Sequence, residues 1–175
     1  ITMEEDVQFA HYDPNVASLM QLGKWFDYMR ENGVYDNTRI ILVADHGRGL
    51  YLNWDRVIDN GPDTDFFFPL LMVKDFNAKG FSFSDTFMTT ADVPTLATSG
   101  LIDNPTNPFT GNAINANAKY DRPFYAFMSY DWDTSKNNGN QFFPGTWYRV
   151  DNQNARDKRN WVMVGENTVL PDALR

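Results

Sequence analysis

Between positions 13 and 33 the apolar residues Val16, Leu19, Leu22, Phe26 and Met29 recur at three- and four-residue steps. Lys24, Asp27, Arg30 and Glu31 fall largely off that stripe, so the spacing predicts an amphipathic helix. Asp13 is placed to cap its first turn. Pro14 follows where a missing N–H costs nothing, and Asn32-Gly33 supplies a left-handed stop. The acidic, weakly patterned segment 1–10 reads as an irregular leader. After the turn Tyr35-Asp36-Asn37 the period is lost altogether. Residues 40–44 (Ile-Ile-Leu-Val-Ala) form a short continuous apolar run rich in β-branched residues, the signature of a strand buried on both faces, as in a parallel α/β sheet.

A polar stretch, 48–65, follows, broken by Asn60-Gly61-Pro62. The apolar run 66–73 predicts another strand, at an edge or irregular at its start because of Pro69. Residues 76–86 read as a surface loop. Residues 89–100 read as a helix, with Thr89 and Asp92 at capping-box spacing and Gly100 closing it. A long connection rich in Asn, Pro, Thr and Gly spans 103–118. Beyond it, 124–130, 146–150 and 161–164 predict a small antiparallel sheet, with a polar turn at 131–141. The expected organisation is an α/β part over 1–118, with flanking helices, and a small antiparallel β tail over 119–175. No internal repeat is visible.

Composition narrows the function. Hydrophobic residues make up 42% and aromatics 15%, enough for a real core and too many for a disordered chain. Lys and Arg number 15 against 23 Asp and Glu, a net charge of -8, which leaves no basic footprint for nucleic acid. With no cysteine there is no disulfide framework, thiolate metal site or cysteine nucleophile. No apolar run is long enough to span a bilayer. The first residue is Ile1 and no signal-like run follows it, so the expectation is a piece of a longer protein.

The strongest chemical signal is Asp45-His46-Gly47 at the carboxyl end of the 40–44 strand, where the loops of open α/β sheets converge on ligands. Adjacent Asp and His offer one hard oxygen and one imidazole nitrogen to a metal ion, and Gly47 allows the sharp turn that lets both reach it. The bland alternative is a turn-capping Asp beside a satisfied polar His.

The flanks of that motif add a resemblance. Leu22-Gly23-Lys24-Trp25-Phe26-Asp27-Tyr28-Met29, then Gly33-Val34-Tyr35-Asp36-Asn37-Thr38, then Ala44-Asp45-His46-Gly47 together resemble the alkaline phosphatase superfamily, most closely the branch of sulfatases, lipoteichoic acid synthases and phosphoethanolamine transferases. Phe68-Pro69-Leu70-Leu71-Met72-Val73-Lys74 is similar to that branch's next strand, and Thr89-Thr90-Ala91-Asp92-Val93-Pro94-Thr95-Leu96 to its following helix. The likeness covers roughly residues 12–114 and lies in the order of elements. It implies part of an alkaline-phosphatase-like sheet, with Asp45 and His46 as ligands to one or two divalent ions (Mn²⁺, Zn²⁺, Mg²⁺ or Ca²⁺). It implies a phosphate- or sulfate-ester substrate, lipid- or glycan-linked in some members of the branch, and an extracytoplasmic enzyme anchored in the membrane upstream. The branch's hydroxyl or formylglycine nucleophile and remaining acidic ligand belong to an amino-terminal half not found here. The fragment is therefore expected to be inert alone and prone to self-association.

Other positions carry less. Arg48 is a candidate for holding an ester oxygen. His11 lies ahead of the expected helix cap and has no ligand partner at suitable spacing. Asp55, Asp59, Asp63 and Asp65 form an acidic run better read as solvated than as a Ca²⁺ loop. Asp131 and Asp133 match only the opening of a calcium loop, since Lys136 stands where Gly is required. Tyr125, Tyr130, Trp132, Trp147, Tyr148 and Trp161 could stack on sugar, which gives the rival reading of a non-catalytic glycan-binding module with a vestigial metal motif. Core packing is their default role.

Overall fold

The structure is a computed structural model that describes residues 3–49, 54–59, 61–129 and 143–174. The chain forms two compact units, Ile1–Trp54 with Asp65–Asp103, and Asp55–Thr64 with Asn104–Arg175. Among the described residues it combines helices with two antiparallel sheets.

The first unit opens with helix α1, Met3–Glu31. The helix begins well before Asp13, where the spacing places its cap, and takes in most of the segment expected to be irregular. Pro14 is an interior residue of the helix, and His11 lies within it and not ahead of a cap. Met3, Glu4, Glu5 and Gln8 are good helix formers, and one proline deletes one backbone bond without ending a helix that has turns on both sides of it. The stop falls at the expected Asn32-Gly33. Gly33 takes φ +69°, its N–H donates to Arg30 O (3.0 Å), and Val34 N donates to Met29 O (3.0 Å), the paired bonds of a Schellman ending. The apolar stripe is packed unevenly: Met29 is buried, Val16, Leu22 and Phe26 are half-buried, and Leu19 remains 55% exposed.

Strands β1 (Ile40–Val43) and β2 (Leu71–Lys74) pair antiparallel, Ile40 opposite Lys74 and Val43 opposite Leu71. Among the described residues this is the only ladder β1 makes, and it is antiparallel where the continuous apolar run predicts parallel neighbours. No residue of the ribbon is fully buried, so its apolar character reflects faces only half covered. The strand expected over 66–73 is confined to Leu71–Lys74. Thr64–Phe67 is a 3₁₀ turn, and Pro69 falls between turn and strand, where its missing N–H deprives no ladder.

Two cations hold the connections of this unit. Lys74 Nζ donates to the carbonyls of Tyr35 and Thr38 (2.9 Å to the latter) and lies 4.3 Å from the Tyr35 ring centroid. The guanidinium of Arg30 lies 4.1 Å from the same ring. Arg39, with only 11% of its side chain exposed, pairs with Asp75 (2.9 Å). Its Nη1 donates to the carbonyls of Leu96, Ala97 and Ser99 at 3.0, 3.1 and 2.6 Å. Those carbonyls lie at the end of helix α2, Val93–Thr98, and have no partner within the helix. At its start Thr89 N donates to Asp92 Oδ2 (2.7 Å), as the capping-box spacing predicts, although a 3₁₀ turn, Thr90–Asp92, precedes the α-helical part.

The second unit is built on a meander of β3 (Phe124–Met128), β4 (Gly145–Val150) and β5 (Trp161–Thr168), all antiparallel. One face carries Phe124, Val150 and Trp161 in register, then Ala126, Tyr148 and Met163. Ala126, Tyr148, Val150 and Trp161 are buried and make this unit's core. Trp161 meets Phe124 and Tyr148 edge-on, at 6.4 and 5.9 Å. The antiparallel tail expected from the sequence is thus present. β5 runs beyond the expected 164 as far as Thr168, carried through Gly165-Glu166-Asn167 by main-chain pairing across two register shifts that leave extra residues on β5. Segment 55–64 belongs to the same unit: a Cβ on Gly61 would lie 3.1 Å from the Tyr148 hydroxyl.

Arg39→Met should destabilise the first unit by about 2 kcal/mol, because charged hydrogen bonds to carbonyls are lost together. The α2 end should loosen locally, so the amides of Leu101 and Ile102, which donate to Thr98 O, should lose hydrogen-exchange protection. In the β4–β5 connection, Asp157 accepts from the guanidinium and backbone of Arg159, which lowers its pKa from 3.8 to about 2. A carboxylate whose pKa falls on folding stabilises the fold above its unfolded value and loses that contribution as pH drops through the folded one. Denaturation midpoints of wild type and Asp157→Asn should therefore differ at pH 7 and converge between about pH 4 and pH 2.

Candidate metal centre

Strand β1 ends at Val43, and Ala44 N still donates to Leu70 O (3.0 Å), so the ladder fixes the chain one residue before Asp45. Asp45 and His46 then leave the sheet in a bend. Asp45 Oδ1 accepts from the backbone N–H of His46 (3.0 Å), and His46 Nδ1 lies 2.6 Å from the Gly47 carbonyl oxygen. One oxygen and one ring nitrogen are thereby engaged locally. The other two, Asp45 Oδ2 and His46 Nε2, face each other at 3.9 Å. Both side chains are open to solvent, 91% exposed for Asp45 and 62% for His46.

This arrangement fits a divalent ion as half a site. Two donors on a tetrahedral ion with bonds of about 2.1 Å stand about 3.4 Å apart, and exposed side chains close the remaining half ångström by small rotations. A carboxylate oxygen with an imidazole nitrogen suits Zn²⁺ or Mn²⁺ better than an all-oxygen Ca²⁺ shell. Two ligands do not complete a shell. Among the described residues no group of three or more His, Cys, Asp or Glu stands close enough together to hold an ion.

The structure brings together Asp45 and His46 and leaves the other candidates apart. Arg48 is exposed, two residues beyond His46. Of the acidic run, Asp59 pairs with Lys158 (3.3 Å) and Asp63 is buried, while Asp65 belongs to the other unit. Asp131, Asp133, Lys136, Tyr130 and Trp132 lie outside the described residues. Of the remaining tail aromatics, Tyr148 and Trp161 are buried in the sheet core and Trp147 packs on Phe127 at 4.8 Å, so these three are structural.

One feature escapes the sequence. Gly47 N donates to Phe66 O (2.8 Å), and a Cβ at this position would stand 2.0 Å from Asp65 O and 2.7 Å from Phe68 O. The glycine does more than allow a sharp turn. It is also the point where segment 65–68 presses against the Asp-His bend, a contact between distant parts of the chain that no local pattern signals.

A concavity of the unit lies elsewhere. A cleft of about 710 Å³ runs between α1 (Leu19, Leu22, Phe26) and the ribbon face bearing Leu42 and Met72. Its walls are mostly apolar and include neither Asp45 nor His46, so it is a packing surface apart from the candidate ligands. No described helix is long and apolar enough to cross a membrane. Compared with known protein families, curated proteins and solved structures, the chain matches none of them.

Proposed function

We propose that this chain is the carboxyl-terminal part of a metal-dependent sulfatase/lipoteichoic acid synthase-like enzyme, acting on phosphate or sulfate esters outside the cytoplasm. The observation that supports it most is the facing of Asp45 Oδ2 and His46 Nε2 at the end of a strand, with their other polar atoms already engaged. In this reading Asp45 and His46 hold a divalent ion (Mn²⁺, Zn²⁺, Mg²⁺ or Ca²⁺), and Arg48 donates to an ester oxygen. When bound, such an ion lowers the pKa of a hydroxyl nucleophile and neutralises charge growing on the ester oxygens. The nucleophile and further acidic ligands come from the parent's amino-terminal half, which also covers the half-exposed ribbon and cleft. Without that half, the same apolar surface favours association between copies of the fragment.

In the full-length parent, Asp45→Ala should lower turnover of a nitrophenyl ester at least about 100-fold with an unchanged circular dichroism spectrum, since loss of a ligand costs more than loss of an outer-shell partner. Turnover close to wild type in that variant would refute the assignment. The isolated chain should show no phosphatase or sulfatase activity with added Mn²⁺, Zn²⁺ or Ca²⁺. Metal-dependent hydrolysis by a pure sample would mean that a nucleophile lies within it. Sedimentation across a concentration series checks association, and a strict monomer at high concentration counts against the uncovered-surface part of the reading.

A further inference from the structure

His46 Nδ1 stands 2.6 Å from the Gly47 carbonyl oxygen. A carbonyl oxygen only accepts, so this contact requires the proton on Nδ1 and leaves the lone pair on Nε2, the atom that faces Asp45 Oδ2. Gly47 is itself held at its N–H and its Cα. Its N–H donates to Phe66 O, and the carbonyls of Asp65 and Phe68 occupy the space where a Cβ would go.

Resting on the reading of Asp45 and His46 as metal ligands, we propose that Gly47 is the positioning residue of this site: its carbonyl selects the His46 tautomer with Nε2 free for the metal, and its missing Cβ lets segment 65–68 hold, by N–H and Cα, the residue that bears that carbonyl. The role differs from permitting a turn. Any residue with a Cβ must push the 47 peptide away from 65–68, which moves the carbonyl off Nδ1 and releases the ring. Asp45 remains, but the two donors lose their common aim, as happens when an outer-shell partner of a metal-binding histidine is removed.

The test uses the full 175-residue chain labelled with ¹⁵N, in which His11 and His46 are the two histidines. Long-range ¹H–¹⁵N spectra at pH 8.5, with His46→Gln for assignment, report which ring nitrogen carries the proton, and Mn²⁺ titration reports broadening at His46. The expected result is an Nδ1–H tautomer in wild type, a mixture of tautomers in Gly47→Ala, and an Mn²⁺ affinity at His46 lower by about 10- to 100-fold in that variant. Gly23→Ala is the control, because a Cβ there meets nothing within 4 Å, and both readouts should stay at wild-type values. A wild-type His46 protonated on Nε2 overturns the proposal, as does a Gly47→Ala chain with unchanged tautomer and Mn²⁺ affinity. If Gly47→Ala does not fold, the wild-type tautomer decides alone. An Nδ1–H tautomer without Mn²⁺ broadening supports the positioning role and counts against the metal reading instead.

Discussion

Backbone carbonyls left over at the ends of short elements are the constraint around which the site-bearing unit is organised. A 29-residue helix, a four-residue ribbon and a six-residue helix cannot satisfy their own ends or the turns between them. Two cations do it instead. Lys74, the last residue of β2, reaches the carbonyls of the turn that leads from α1 into β1. Arg39, just before β1, reaches the carbonyls at the end of α2. A charged donor shared among several neutral acceptors is stronger than a bond between neutral groups, and its planar fork gives Arg39 directions that fit Asp75 and the helix end together. Both cations act at the start of β1, so the strand that presents Asp45 and His46 is held at its entry by polar contacts more than by burial.

At its exit β1 is held differently. The ladder bond from Ala44 to Leu70 and the close approach of Gly47 to segment 65–68 clamp the bend from both sides. Between those two points stand the exposed carboxylate and imidazole. The backbone there is held while the carboxylate and imidazole remain open to solvent. The apolar cleft along α1 and the half-covered ribbon belong to the same picture, because a ribbon of two short strands is marginal alone and gains stability from further strands or layers.

The second unit relies on an ordinary apolar core. Val150, Tyr148 and Trp161 close one face of a three-stranded meander, and the ion pairs Arg149–Asp151 and Arg159–Asp157 sit in or beside the β4–β5 connection, where they shape a turn containing left-handed Asn152 and Gln153. This use of its aromatics weighs against a glycan-binding surface built from the whole set, since the buried rings of Tyr148 and Trp161 cannot reach a ligand.

Local patterns in the sequence determined a good deal. The stop of α1 at Asn32-Gly33 needed only a residue tolerant of positive φ, the start of the second helix only a Thr and an Asp three apart, and the tail strands only alternation and turns. The Asp-His pair was legible for the same reason, since its two donors are adjacent and need no long-range fold to meet. Tertiary structure decided the rest. Whether Pro14 begins a helix or rides within one depends on the turns before it, not on proline itself. The pairing direction of β1 depends on which strand lies beside it, which a four-residue apolar run does not encode. The roles of Lys74, Arg39 and Gly47 arise from contacts far apart along the chain, where a side chain's partner is chosen by the path of the backbone, and no spacing along the chain announces it.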